Sequence, residues 1–362
     1  MDGLPYDPHG TPGRRLPLVL LALVGLIAAA ALVAGVVSLS AGAPLIWQGG
    51  PNGGETGETE HAEGVSQLNY PAEVVQTIQR PSGGTWLMPA SAVSTEGATF
   101  VLDTGNDRLL KIDQDGGVAA TIDSASTKGL DLRQPLALSS DGRRLFIANP
   151  LASDVVVLDL SGAVEKVIRL EPLAGGEEAP RPIGVAVTPE GGIVVSDAAN
   201  HRVLILDGEG QLVRAVGTGR RASGSDGFNV PGALAVDGAG NIYVVDTLNG
   251  RVVKMAADGR FLAQFGERGK TAGTLSRPKG VAVDGEGRVF VSDGLLAAVE
   301  VFAPDGTYLG VIGRMTPENP ALGSMFEAPA GLWLTGDTLY VADRFAGLIV
   351  LKLPGTPQAA TE

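Results

Sequence analysis

Apolar residues along most of this chain come in runs of four to six, each closed by a turn signal. Residues 278–313 read PKGVAVDGEGRVFVSDGLLAAVEVFAPDGTYLGVIG and hold four such runs, at 280–283, 289–292, 299–302 and 308–312. Asp284-Gly285-Glu286-Gly287 and Pro304-Asp305-Gly306 separate the outer pairs. Asp-Gly between apolar runs is a strong hairpin signal, because glycine accepts positive φ without a Cβ clash. The segment therefore predicts a four-stranded antiparallel meander. Its first two strands are almost continuously apolar, so both faces of the sheet need covering by other sheets.

The same meander recurs. Pro89, Pro135, Pro182, Pro231, Pro278 and Pro329 stand 46 to 51 residues apart. Two residues after each comes a small one: Ser91, Ala137, Gly184, Ala233, Gly280 and Gly331. Fourteen or fifteen residues after each comes Asp103, Asn149, Asp197, Asp246, Asp293 or Asp343. Three markers held in register define an internal repeat, and sheets that cannot bury their own faces bury them by packing around an axis. The expected fold is all-β: a six-bladed β-propeller of four-stranded antiparallel blades. The sixth repeat has only three strands, at 331–334, 338–342 and 348–353, while an orphan run precedes the first repeat at residues 73–78. Its pattern resembles the fourth strands at 164–168 and 212–216. The N-terminal strand is therefore expected to close the ring as the outer edge of the last blade.

The region before the repeats reads differently. Residues 16–39 carry no charge and are rich in Leu, Val and Ala. At 1.5 Å per residue they span about 36 Å, enough for a hydrocarbon core of about 30 Å. Arg14 and Arg15 precede the run, which places the N-terminus in the cytoplasm by the positive-inside rule. A cleaved signal peptide is the alternative: Ala41-Gly42-Ala43 resembles a cleavage site, but the run is long and Pro44 would follow the cut. The expected organisation is a cytoplasmic tail (1–15), one transmembrane helix (16–39), a Gly- and acid-rich flexible linker (40–64), the propeller (65–353) and a disordered C-terminal tail (354–362). This makes a single-pass cell-membrane protein with an extracytoplasmic propeller. Residues 1–43 contain two Arg and two Asp, so the net charge of -13 belongs to the exported part. Such an acidic body repels phosphate backbones, and nucleic acid is not an expected partner. No Cys is present, which excludes disulfides, a lipid-modified Cys anchor and c-type haem attachment.

Asp197-Ala198-Ala199-Asn200-His201-Arg202-Val203, Asp246-Thr247-Leu248-Asn249-Gly250-Arg251-Val252 and Asp103-Thr104-Gly105-Asn106-Asp107-Arg108 share a pattern. With the Pro-x-Gly-Val-Ala-Val starts at Pro182 and Pro278 and the Gly266-x-x-Gly269-x-x-x-Gly273-x-Leu275-x-x-Pro278 segment, they resemble the NHL repeat. The resemblance covers essentially the whole exported domain. Repeats two, five and six depart from it: Ser153-Asp154, Ala297-Ala298 and Gly347-Leu348 replace the Asn and Arg pattern. The resemblance implies a six-bladed propeller that commonly serves as a binding platform, occasionally as an enzyme, often secreted or membrane-tethered in bacteria.

Loops between strands two and three share a face with the loops that join blades. The Asp-x-x-Asn-x-Arg motif sits there, with Arg108, Arg202 and Arg251 available either to a ligand or to the neighbouring acid. Asp103, Asp197, Asp246, Asp293 and Asp343 read as loop-organising acids, with a carboxylate-bound calcium near the axis as the alternative use. The between-blade loops add Arg220, Arg221, Arg268, Lys270, Arg277 and Arg314, and the last repeat adds Arg344. These basic groups on one face of an acidic body suit a carboxylate-bearing protein or a polyanionic glycan, and ordinary solvated charge is the plainer reading. Trp86, Leu132, Ala179, Phe228, Leu275 and Phe326 stand three before each proline and read as plugs between blades, or as a ligand-contacting ring. With only His9, His61 and His201 in the chain, and only the last on the propeller, no three-His zinc site forms there. No catalytic motif stands out and no cofactor is expected. The leading expectation is a membrane-tethered binding or scaffold module for a protein or glycan at the cell envelope. A metal-assisted lactonase or related hydrolase is one alternative, and an accessory subunit of a membrane redox or export complex is another.

Overall fold

The computed structural model describes residues 70–79, 86–95, 97–171, 177–313 and 325–354. The transmembrane helix, the linker and the C-terminal tail expected from the sequence lie outside these residues. Among the described residues no helix is long and apolar enough to cross a membrane.

Six four-stranded antiparallel sheets form the fold, and five of them are simple meanders in chain order. In the sixth, Pro329–Thr335, Thr338–Asp343 and Gly347–Lys352 are joined at the outer edge by Glu73–Ile78. That strand pairs antiparallel with Gly347–Lys352, with Glu73 opposite Lys352 and Ile78 opposite Leu348. The first strands of successive blades pack on one another in a closed cycle, from blade 1 round to blade 6 and back. Both ends of the propeller thus meet in one sheet, and main-chain hydrogen bonds seal the ring. Just before the closing strand, the Tyr70 amide donates to the Val311 carbonyl at 2.9 Å, and the Tyr70 ring meets Phe290 edge-on at 6.0 Å. The closing segment therefore also grips blade 5.

Strand alternation explains how the sheets stack. In Ala98–Asp103, Phe100 and Leu102 enter the cluster shared with blade 2, while Val101 enters the cluster shared with blade 6. Every blade boundary holds one such apolar cluster, so each middle strand is buried on both faces. Trp86, Leu132, Phe228, Leu275 and Phe326 are all buried in these clusters, as expected of plugs. Ala179 is not: it is exposed, and Leu170 fills the boundary between blades 2 and 3. The Leu170 amide is held by the Ser153 carbonyl at 3.0 Å, which carries the side chain inward from the end of the preceding strand.

The small residues two places after the repeat prolines mark where neighbouring inner strands touch. A Cβ on Gly184 would lie 2.2 Å from the Gly232 carbonyl oxygen, and one on Gly280 would lie 2.3 Å from that of Ala330. The inner strands approach backbone to backbone at these positions, and only glycine leaves room for it. The first strands also begin earlier than the apolar pattern suggests. In every blade but the second, whose first strand is Ala137–Ser140, they run from the proline itself, with Pro278 opposite Asp293 and Pro329 opposite Asp343. Proline is accepted at the first residue of a strand, where it owes the ladder no N–H.

Candidate functional site

The repeat acid sits at the loop-face end of the second strand in every blade except the second, where Asn149 takes its place. In blade 4, Asp246 Oδ1 accepts the Asn229 amide at 2.7 Å, while Oδ2 accepts Asn249 Nδ2 at 2.7 Å and Arg251 Nε at 2.9 Å. Asp197 repeats this with the Arg181 amide, Asn200 and Arg202, at 3.0, 2.9 and 3.0 Å. Asp103 does so with the Leu87 amide, Asn106 and Arg108, at 2.6, 2.8 and 2.8 Å. All three carboxylates are fully buried. Each one ties the entry of its blade's first strand to the turn and the third strand. Arg108, Arg202 and Arg251 are thus each bound within their own blade, and the structure does not bring them together.

Blades 5 and 6 solve the same problem without a cation. Asp293 accepts four backbone amides, from Ser276, Arg277, Leu295 and Leu296. Asp343 accepts four likewise, from Glu327, Ala328, Phe345 and Ala346. In blade 2, Asn149 accepts the Arg133 amide and donates to Asp154, which occupies the arginine's place. Burial pushes the Asp154 carboxyl up. The acids offered by sequence as calcium ligands are therefore each occupied within separate blades. Among the described residues no three of His, Cys, Asp and Glu are grouped to hold a metal ion.

The residue four after the repeat acid or Asn149 ends the turn in the left-handed region in every blade: Asp107, Ser153, His201, Gly250, Ala297 and Gly347. Two of these side chains reach the next blade. Asp107 Oδ1 accepts the Gln134 amide at 2.6 Å, and His201 Nδ1 accepts the Val230 amide at 3.0 Å. Val230 itself has φ of 58°, which is strained for a β-branched residue. Burial, with Arg221 nearby, pushes the His201 imidazole below its usual range, consistent with its role as an acceptor.

At the loop-face end of the innermost strands, blades 5 and 6 differ from the rest. Lys279 follows the repeat proline, where the other blades have Ala90, Leu136, Ile183, Gly232 and Ala330. Arg344 follows the repeat acid, where the others have Thr104, Pro150, Ala198, Thr247 and Gly294. The Lys279 stem passes over Gly294 toward blade 6: a Cβ on Gly294 would lie 3.5 Å from Lys279 Cγ and 3.5 Å from the Pro329 carbonyl oxygen. Arg344 is fixed beside that point by its amide, which donates to the Ala328 carbonyl at 3.2 Å. Arg277 precedes the same proline, and its carbonyl accepts the Gly294 amide at 3.2 Å. All three side chains are partly buried.

Burial, then the charges of Arg344 and Arg277, pushes the Lys279 ammonium down to about 8, with Asp293 the one opposing charge. Burial and Arg277 act on Arg344 in the same direction, against Asp343. Both opposing carboxylates already accept four amides each. Among the described residues, neither the Lys279 ammonium nor the Arg344 guanidinium forms a side-chain hydrogen bond or an ion pair.

The other basic loop residues are dispersed. Arg220, Arg221, Arg268 and Lys270 are exposed. Arg220 reaches Glu177 at 3.3 Å, and Arg268 donates to the Leu248 carbonyl at 3.1 Å. Arg314 lies outside the described residues. Lys279 is the one cation of the mouth that the sequence pattern leaves unassigned, directly before the apolar run at 280–283. Its single visible signal is a charge directly after a repeat proline, where the other repeats have apolar or small residues.

The NHL repeat family matches residues 180–206, which span the first three strands of blade 3. Similar solved structures include an inactive virginiamycin B lyase variant from Staphylococcus aureus with quinupristin, at 14% identity and a TM-score of 0.56, covering 78% of this chain and 100% of that one. A gluconolactonase from Xanthomonas campestris matches at 20% identity and a TM-score of 0.55, over 77% of this chain and 89% of that one. A protein of unknown function from Bacteroides thetaiotaomicron matches at 14% identity and a TM-score of 0.60, over 78% and 76%. At these identities the likeness establishes the fold.

Proposed function

We propose that this NHL-repeat, six-bladed propeller is a membrane-tethered, extracytoplasmic binding module that holds an acidic protein or glycan partner through its loop-rich face. The observation that carries the reading is how the cations divide. Arg108, Arg202 and Arg251 are used inside their blades. Arg221 and Lys270 stay exposed on the between-blade loops, and Lys279 and Arg344 stand at the mouth without a paired acid among the described residues. On a chain of net charge -13, such a face is a local exception that attracts a negatively charged partner. The uncharged run at 16–39 and the Gly-rich linker would hold that face within reach of other envelope components.

Lyase and gluconolactonase chemistry occurs on this fold in the similar structures. In this chain the repeated acids have their oxygens occupied by amides and side chains of their own blades, which favours binding over turnover. The test is affinity capture from an envelope fraction with the detergent-solubilised full chain, comparing wild type with an Arg220→Glu/Arg221→Glu variant. The expected result is a defined set of acidic partners lost in the variant. An unchanged set would refute the loop-face reading.

A further inference from the structure

The mouth cluster has chemistry of its own, and its ligand class follows from two features of the fold. The cations come from two adjacent blades: the Lys279 stem passes Gly294, which lies against the Pro329 carbonyl, and the Arg344 backbone is held by the Ala328 carbonyl. The local acids are consumed, because Asp293 and Asp343 each accept four amides.

We infer that Lys279 and Arg344 form an anion site at the axial mouth that takes a carboxylate of the bound ligand. The inference rests on the loop-face reading above and deepens it. Guanidinium groups offer planar forks that match carboxylate oxygens, and the ammonium adds a point charge beside them. A phosphate fits the same forks, but a chain of net charge -13 repels the more highly charged anion more strongly. The cluster is also self-repelling when empty. The groups that face Lys279 are Arg344, Arg277 and Asp293, and burial with the two arginines brings its ammonium down to about 8. A bound carboxylate compensates that repulsion, so binding should weaken as Lys279 loses its proton.

The test is calorimetric titration of the solubilised full chain with glucuronate, and separately with inorganic phosphate. Wild type is expected to bind glucuronate at one saturable site near neutral pH, and more weakly at about pH 9.5, where Lys279 is neutral. Lys279→Gln and Arg344→Gln are each expected to weaken binding about tenfold or more, the scale of a lost charge-assisted contact. Arg268→Gln, on an outer loop, is expected to bind as wild type does. Absence of saturable glucuronate binding, wild-type affinity in Lys279→Gln, or an equal loss in Arg268→Gln would overturn the site. Tighter binding of phosphate than of glucuronate would overturn the carboxylate assignment. The two failures separate cleanly: if Arg220→Glu/Arg221→Glu loses partners while glucuronate does not bind, only the mouth site falls. If capture is unchanged, the broader reading falls and the titration still stands or fails alone.

Discussion

Replacing Asp246 with Ala should damage this fold more than any loop-face charge change. The carboxylate is fully buried and accepts the Asn229 amide, Asn249 Nδ2 and Arg251 Nε. Arg251 is itself buried, and without Asp246 it keeps only neutral partners: Gln264 and the Gly224 and Gly227 carbonyls. Breaking a buried pair by removing one member costs about 3–5 kcal/mol, because an uncompensated charge stays behind. For a domain of this size that corresponds to a fall in Tm of about 5–8 °C. Asp246→Asn keeps an acceptor for the Asn229 amide and should cost about half as much, near the value of a hydrogen bond to a charged group. Arg220→Ala removes only the exposed pair with Glu177 at 3.3 Å and should cost about 0–1 kcal/mol. Scanning calorimetry or urea denaturation of the three variants gives the order directly. A Tm for Asp246→Ala within a degree of Arg220→Ala would refute the claim that the repeat acids hold the blades together.

Two further outcomes follow from the charges around the mouth. His201 has a depressed folded-state pKa, caused first by burial and then by Arg221 and Arg181, against Glu178 and Asp197. Its contribution to stability is therefore complete above the unfolded value near 6.5 and is lost as pH falls from there toward the folded value; His201→Asn, which tolerates the left-handed turn, should flatten this part of a Tm-against-pH curve, and an unchanged slope would refute the assignment. Lys279→Gln should raise Tm near pH 7, because the native state holds that ammonium at about 8 instead of 10.5 and is penalised for keeping it charged. Discounted for its partial exposure, the gain is about 1–2 kcal/mol and should vanish above about pH 10.5; a lowered Tm at neutral pH would show that Lys279 supports the fold.

The ring was legible because its information is local and repeated. Each Asp-Gly turn, apolar run and proline states its own conformation, and the deficit of one strand in the last repeat identified Glu73–Ile78 as its complement. Pairing of Glu73 with Lys352 confirms that reasoning. Other features were hidden because they depend on contact and not on pattern. Leu170 reads as the end of a strand, and nothing in its neighbourhood distinguishes it from a strand residue until the chain turns it into the gap that Ala179 leaves unfilled. Asp107, Ser153, His201, Gly250, Ala297 and Gly347 share a backbone conformation but no side-chain chemistry, so the turn-end position is invisible to a residue pattern. Lys279 and Arg344 belong to different repeats, and only the geometry of the ring makes them neighbours.

A residue repeated around a closed ring meets similar surroundings in most blades, and its role there is structural wherever the fold needs it. Chemistry that distinguishes one ligand from another must come from positions where the repeats disagree. In this chain the disagreement is ordered. Blades 1, 3 and 4 place an arginine on the buried acid and leave the mouth neutral at the positions of Lys279 and Arg344. Blades 5 and 6 drop that arginine, cap the acid with backbone amides, and carry cations at the mouth. The second arrangement also ties the strand entry to the turn, and it gathers like charges in a partly desolvated place at a cost in stability. Natural proteins carry such costs where activity needs them. The amide-capped acids are what make the mouth available, because an acid already holding four N–H groups has no lone pair directed at Lys279 or Arg344. That coupling between a structural substitution at one position and a free charge at another ties the anion site to blades 5 and 6.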